Sequence, residues 1–161
     1  MIWKILIVLV ISMIPLVELR GAIPIAVGMD LGLPEWLVLV TAIIGNIIPV
    51  PFIFLFARRF LEWGSQKEWR PLSQFCYFCL KKGKKGGDKL LKKAGSYGTY
   101  FALFLFVAIP IPGTGAWTGT LAASILDLDF KKTMTVIISG ILVAGLIMLL
   151  VSLGLFKWLL G

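Results

Sequence analysis

Glu18 and Arg20 stand two residues apart in an apolar stretch that Pro15, Gly21 and Pro24 break up. A charge held inside hydrocarbon is costly, so an ionisable residue at that depth marks a binding site or a transport pathway by default. The guanidinium of Arg20 stays charged and matches a phosphate or carboxylate through two parallel hydrogen bonds, which makes it the natural ligand for an anion. Glu18 would orient Arg20 or carry a coupling proton. On a regular helix, side chains two apart diverge by about 200°. In an unwound stretch both can face one cavity.

A second broken stretch lies 94 residues on, where Pro110, Pro112, Gly113 and Gly115 interrupt apolar sequence. The same shift carries Gly21–Ala22 onto Gly115–Ala116 and Glu35–Trp36 onto Asp129–Phe130. A pair of Gly/Pro-broken segments at matching places in two halves of a chain points to a transporter's binding site. Unwound backbone persists in a bilayer only where protein, water or a ligand satisfies its N–H and C=O groups. Helices resuming near Ala22 and Ala116 would aim free N–H groups and the positive dipole end inward, which favours an anion. Thr114 and Thr118 would add hydroxyls, and Trp117 lies inside the kink. The expected substrate-binding set is therefore Glu18, Arg20, Gly21, Pro24, Gly113, Thr114, Gly115, Trp117 and Thr118. Asn46 either joins this set or bonds a carbonyl freed by Pro49 and Pro51.

The elements that must position these residues are membrane elements. The chain has 161 residues, is 59% hydrophobic and has a mean hydropathy of +0.97. A soluble domain of this size could not cover so much apolar surface. Residues 36–57 and 133–156 run 22 and 24 residues without a charge. At ~1.5 Å per residue they span ~33 and ~36 Å, enough to cross a core of ~30 Å. Eleven of the sixteen Lys and Arg fall in residues 58–93, most of them in 81–93. Such a run reads as a cytoplasmic loop, and as a surface that attracts anionic membrane lipids. It carries no nucleic-acid recognition motif, so no nucleic-acid partner is expected. Cys76 and Cys79 form a lone C-x-x-C in a chain without His. Four zinc ligands are not available, and one-face spacing beside Phe75, Phe78 and Leu80 reads as interfacial packing. No metal, cofactor, catalytic residue or enzymatic activity is expected.

These pieces assemble into one all-α integral membrane domain, residues 1–161. A first repeat, 1–57, holds a broken segment (2–33) and a span (36–57). A basic cytoplasmic linker with an amphipathic segment covers 58–96. A second repeat, 97–161, holds a broken segment (97–126) and a span (133–156). Two architectures fit. Either each broken segment is a re-entrant hairpin and the repeats are inverted, or each crosses once and the repeats are parallel. The positive-inside rule does not separate them, since both place thirteen Lys and Arg inside and two outside with Arg20 uncounted. Length favours hairpins, because the 13-residue apolar pieces 5–17 and 97–109 fall short of the ~17 residues a span needs.

The run from Glu18 to Pro24 (ELRGAIP), taken with that from Pro110 to Gly119 (PIPGTGAWTG), resembles the small multidrug export protein family over nearly the whole chain. That family is similar in turn to the DedA superfamily of lipid transporters and scramblases. The resemblance implies two re-entrant hairpins meeting at mid-membrane as inverted repeats, with an acidic residue and an arginine at the site. Glu18 matches the acidic position and Arg20 is the candidate arginine. The second break departs from the DedA pattern, with no charge between Tyr97 and Leu126. The resemblance also implies transport of lipid, notably polyprenyl-phosphate carriers. The expected protein is thus a multi-pass cell-membrane transporter or scramblase of an anionic, phosphate-bearing amphiphile. A chain this short shields a polar path incompletely, which a homodimer would remedy. The alternatives are a proton-coupled drug or solute exporter and a non-transporting scaffold. The scaffold predicts that charge in 81–93 matters and that Glu18 and Arg20 do not.

Overall fold

The computed structural model describes residues 2–15, 17–29, 31–66, 70–111 and 113–160. Among them the chain is all-helical in its regular structure, with no strand. Seven helices follow in order: α1 (Ile2–Met13), α2 (Glu18–Gly28), α3 (Glu35–Ile47), α4 (Pro49–Ser65), α5 (Arg70–Ala108), α6 (Ala116–Ile125) and α7 (Phe130–Leu160).

The punctuation follows backbone chemistry. Pro15 pushes the residue before it out of the helical region, and α1 ends at Met13. Pro49 and Pro51 sit in the first turn of α4 and interrupt the backbone hydrogen bonding where α3 passes into it. Ile48 stays helical, so α3 and α4 run on as one apolar helical path, Glu35–Ser65. Gly95, with φ of 69° and ψ of 174°, kinks α5 into two lengths. Asp129 opens α7 by accepting the Lys132 N–H at 2.9 Å, an N-cap bond.

Among the described residues two helical paths are long and apolar enough to cross a membrane: Glu35–Ser65, 31 residues whose most apolar 18-residue window has mean hydropathy 2.3, and Phe130–Gly154, 25 residues whose window has mean hydropathy 2.8. Both begin earlier than the charge-free runs 36–57 and 133–156, because Glu35 and Phe130 already lie in helix. Only 39% and 33% of their most apolar windows are buried. The core helix of a soluble protein would bury most of such a window. Here Phe52, Leu55, Phe56, Leu142, Leu146 and Leu150 stand exposed on their outer faces. That arrangement suits hydrocarbon rather than water.

The broken segments pack inside these paths. Leu19, Ile23, Ala42, Val107, Ile137 and Ile141 form a buried core drawn from both halves. Close approaches rest on glycines: a Cβ at Gly45 would collide with Ser12 and the Leu9 carbonyl, and one at Gly140 with Val107. Glycine thus brings α3 onto α1 and α7 onto α5, as small residues do between membrane helices. Lys4 Nζ donates to the Leu31 carbonyl at 2.6 Å, tying the start of α1 to the chain just past α2. In the second half the Asp129 N–H donates to the Tyr100 hydroxyl at 3.0 Å, tying the length of α5 beyond Gly95 to the chain just past α6.

Within residues 58–96, α4 runs to Ser65 and the basic run 81–93 is helical within α5. One expectation changes. The first break falls between Met13 and Glu18, and its helix resumes at Glu18 rather than near Ala22. Gly21 and Pro24 are inside α2. A proline six residues into the helix removes one donor but leaves the first turn intact. Pro112 lies outside the described residues, as do the side chains of Phe75, Cys79 and Leu80. Cys76 is buried, consistent with packing.

Candidate functional site

The second break leaves two raw helix ends in apolar surroundings. α5 stops at Ala108, where its last carbonyls lack intrahelical donors, and Pro110 brings no N–H to help. α6 starts at Ala116 with free N–H groups, preceded by Gly115, which has no side chain to cap them. Thr118 does part of the work, its Oγ1 accepting the Gly115 N–H at 2.9 Å.

The first turn of α2 does the rest. Glu18 Oε2 accepts the Ala116 N–H at 3.3 Å and Oε1 accepts the Trp117 N–H at 3.0 Å. This carboxylate, only 5% exposed, therefore caps a helix about a hundred residues away in sequence. Arg20 serves the opposite pole. Its Nη2 donates to the carbonyls of Val107 and Ile109, both at 3.1 Å. Its Nη1 donates to the Ile111 carbonyl and, at 3.2 Å, to Thr114 Oγ1. The Thr114 hydroxyl is itself 2.9 Å from the Ile111 carbonyl and 3.1 Å from that of Ile109.

The two charges are thus spent on different partners. The anion meets the positive end of α6 and the cation meets the negative end of α5, each where the macrodipole favours it. From the first turn of α2 the two side chains reach different helix ends. Glu18 has φ of 51°, in the left-handed region that costs a non-glycine residue of order 1 kcal/mol. Its two hydrogen bonds from the α6 backbone offset that strain.

Gly115 is required for the approach. A Cβ there would lie on the Glu18 carboxylate. Gly115→Ala should therefore push Glu18 off the α6 N–H groups and destabilise the fold by about 1–3 kcal/mol. Thermal unfolding in detergent would read this. Glu18→Asp, which shortens the side chain, should recover part of the loss in the double variant. An unchanged melting temperature for Gly115→Ala would mean the contact is not tight.

Beside this joint lies a half-open cavity of about 540 Å³. Eight of the sequence-derived site residues line it: Glu18, Arg20, Gly21, Gly113, Thr114, Gly115, Trp117 and Thr118. Pro24 does not, because six residues along α2 carry it ~9 Å beyond Glu18. Asn46 does not either. It is buried on α3 beside Gly45, whose neighbours are on α1, and its Oδ1 has no partner. The expected bond from Asn46 to a proline-freed carbonyl would leave that oxygen unpaired. The cavity's apolar wall includes Val17, Ile53, Leu121 and Met148, which sequence reasoning missed. In sequence they look the same as lipid-facing residues. The carbonyls of Val107, Ile109 and Ile111 were also missed, although Pro110 signals a helix end in need of donors. No group of three or more His, Cys, Asp or Glu among the described residues could hold a metal.

Exposed apolar helix paths around a charge-stitched double break define an all-helical membrane protein. Residues 18–147, most of the chain and all of this joint, match the family described as "Putative small multi-drug export protein", and the chain belongs to that family. Neither a curated protein nor a solved structure matches it.

Proposed function

We propose that this protein is a multi-pass transporter of the cell membrane that moves lipophilic amphiphiles through the cavity where its two breaks meet. The observation that carries the reading is that cavity. It is half-open, with Val17, Ile53, Leu121 and Met148 as apolar wall and with the charged pair and the break before α6 also lining it. Each broken segment is a re-entrant hairpin, and the two halves are inverted repeats. Support comes from the ties Lys4–Leu31 and Tyr100–Asp129, which bring the two ends of each broken segment together. The Arg58–Asp127 ion pair further sets the late part of α4 beside the exit from α6. The second hairpin thus enters from the side opposite Lys4 and Glu35. This is also the arrangement implied by the likeness to DedA proteins. The basic face of α5 then lies on the cytoplasmic side.

The charged pair governs this path by holding the two breaks together rather than by seizing cargo. A phosphate-bearing lipid, the cargo expected from the sequence, would have to displace four acceptors from Arg20 or Glu18 from the α6 N–H groups. A lipophilic amphiphile needs neither displacement, and the family's name agrees with it.

The test is transport in proteoliposomes of neutral, cationic and anionic amphiphilic dyes, beside a labelled polyprenyl phosphate. Leu121 lines the cavity, and Leu121→Trp should fill part of it. We expect dye movement by the wild type and a fall of about tenfold in the variant, equivalent to ~1.4 kcal/mol of added barrier. Movement of the polyprenyl phosphate alone would replace this cargo class with the anionic one. No movement of any probe would overturn the transporter reading.

A further inference from the structure

A second cavity, of about 700 Å³, lies between α5 beyond Gly95 and the first turns of α7. Its α5 wall is Ser96, Tyr97, Tyr100, Phe101 and Phe104, and its α7 wall is Lys131, Lys132, Thr135, Val136 and Ser139. Both sets run i, i+1, i+4, i+5, i+8, the spacing of a single helix face. The helices run alongside each other in the same direction. Tyr100 meets Asp129 at one level, and Phe104 and Val107 meet Gly140 further along. The space between is therefore a groove following the helices for ~12 Å, the rise of eight residues.

Its chemistry changes along its length. At one end Lys131 and Lys132 are exposed, with Lys132 Nζ 5.9 Å from the centre of the Tyr100 ring. Further in, Phe101 and Phe104 stack with ring centres 6.3 Å apart, opposite Val136. The Thr135 and Ser139 hydroxyls donate to carbonyls four residues back, at 3.0 and 2.8 Å, so they ask nothing of an occupant. The lysines do not serve their own helix, since cations in a first turn oppose the macrodipole. Asp129 offsets part of their charge, but its Oδ1 is engaged by the Lys132 N–H. Because α7 begins a membrane-length path at Phe130, these lysines lie at headgroup level.

We propose that this groove holds one phospholipid with an anionic headgroup, taken from the surrounding leaflet. Its phosphate lies on Lys131 and Lys132, and the upper part of one acyl chain runs past Phe101, Phe104 and Val136. A soluble anion would have no use for the apolar length. A zwitterionic lipid would gain less from two ammonium groups. The site is separate from the cavity at the breaks and does not depend on what that cavity transports.

Native mass spectrometry of the detergent-solubilised protein with phosphatidylglycerol or phosphatidylcholine tests this. Two surface lysines at ~1 kcal/mol each, less the opposing Asp129, predict about a tenfold preference for phosphatidylglycerol. Lys131→Gln with Lys132→Gln should remove the preference. Val136→Trp, which fills the groove, should weaken binding of both lipids. Lys84→Gln with Lys85→Gln, on the basic face of α5, should leave the preference in place. Equal binding of the two lipids by the wild type would overturn the proposal. So would a preference that survives loss of Lys131 and Lys132, or one that disappears with Lys84 and Lys85. The last result would assign anionic lipid to the α5 face instead.

Discussion

Glu18→Ala lowers the stability of the protein by about 2–4 kcal/mol and abolishes the proposed transport, because one buried and one part-buried backbone donor lose their charged acceptor. The Ala116 and Trp117 N–H groups both bond this carboxylate, and Ala116 is almost wholly buried. An orphaned buried donor costs ~1–3 kcal/mol, more where the lost partner was ionised. Relief of the left-handed backbone at residue 18 is small beside this, since alanine meets the same steric objection as glutamate. Glu18→Gln separates the contributions. Its amide oxygen can still accept a hydrogen bond, but the charge facing the positive end of α6 is gone, a loss of ~1 kcal/mol. The two variants should therefore rank wild type, Gln, Ala in melting temperature in detergent, with transport falling in the same order. If both variants melt as the wild type does while transport is lost, Glu18 acts on cargo or protons and not as a cap.

Arg20→Lys is the sharper of the two experiments because it preserves charge. An arginine that binds an anionic cargo can be replaced by lysine with partial retention of binding, since the attraction survives. An arginine that gathers the carbonyls of Val107, Ile109 and Ile111 with Thr114 Oγ1 cannot, because one ammonium does not reach acceptors spread around a planar fork. Each hydrogen bond to a charged group contributes ~1.5–3 kcal/mol, and losing two of the four predicts about 3 kcal/mol of destabilisation. Arg20→Lys should then resemble Arg20→Ala in melting temperature and in transport. A lysine variant close to wild type in both would reinstate Arg20 as an anion ligand. Combining Arg20→Lys with Glu18→Gln should cost less than the sum, since both act on the two ends of one break.

The pairing of Glu18 and Arg20 with the second break was partly legible. Charges in an apolar stretch, a matching Gly/Pro break and the family likeness singled out eight of the residues that line one cavity. What each charge does there was not legible. A carboxylate and a guanidinium two residues apart read as a pair or as ligands for cargo. Nothing in the local sequence says that one faces the start of α6 and the other the end of α5. Pro24 and Asn46 show the same limit from the other side, being polar or helix-breaking residues near the right depth whose helices turn them elsewhere.

The sequence by itself determined that the chain is helical and membrane-embedded, where its two breaks lie to within a few residues, and where its positive charge is concentrated. Those properties follow from hydropathy, proline and glycine chemistry, and charge count, all of which act over short stretches of chain. Tertiary structure alone decided which helix ends meet, that Gly115 must lack a side chain to admit Glu18, and that Val17, Ile53, Leu121 and Met148 wall a cavity. The physical reason is that unpaired backbone groups at a helix end demand a partner without specifying which, and the partner here comes from a segment about a hundred residues away.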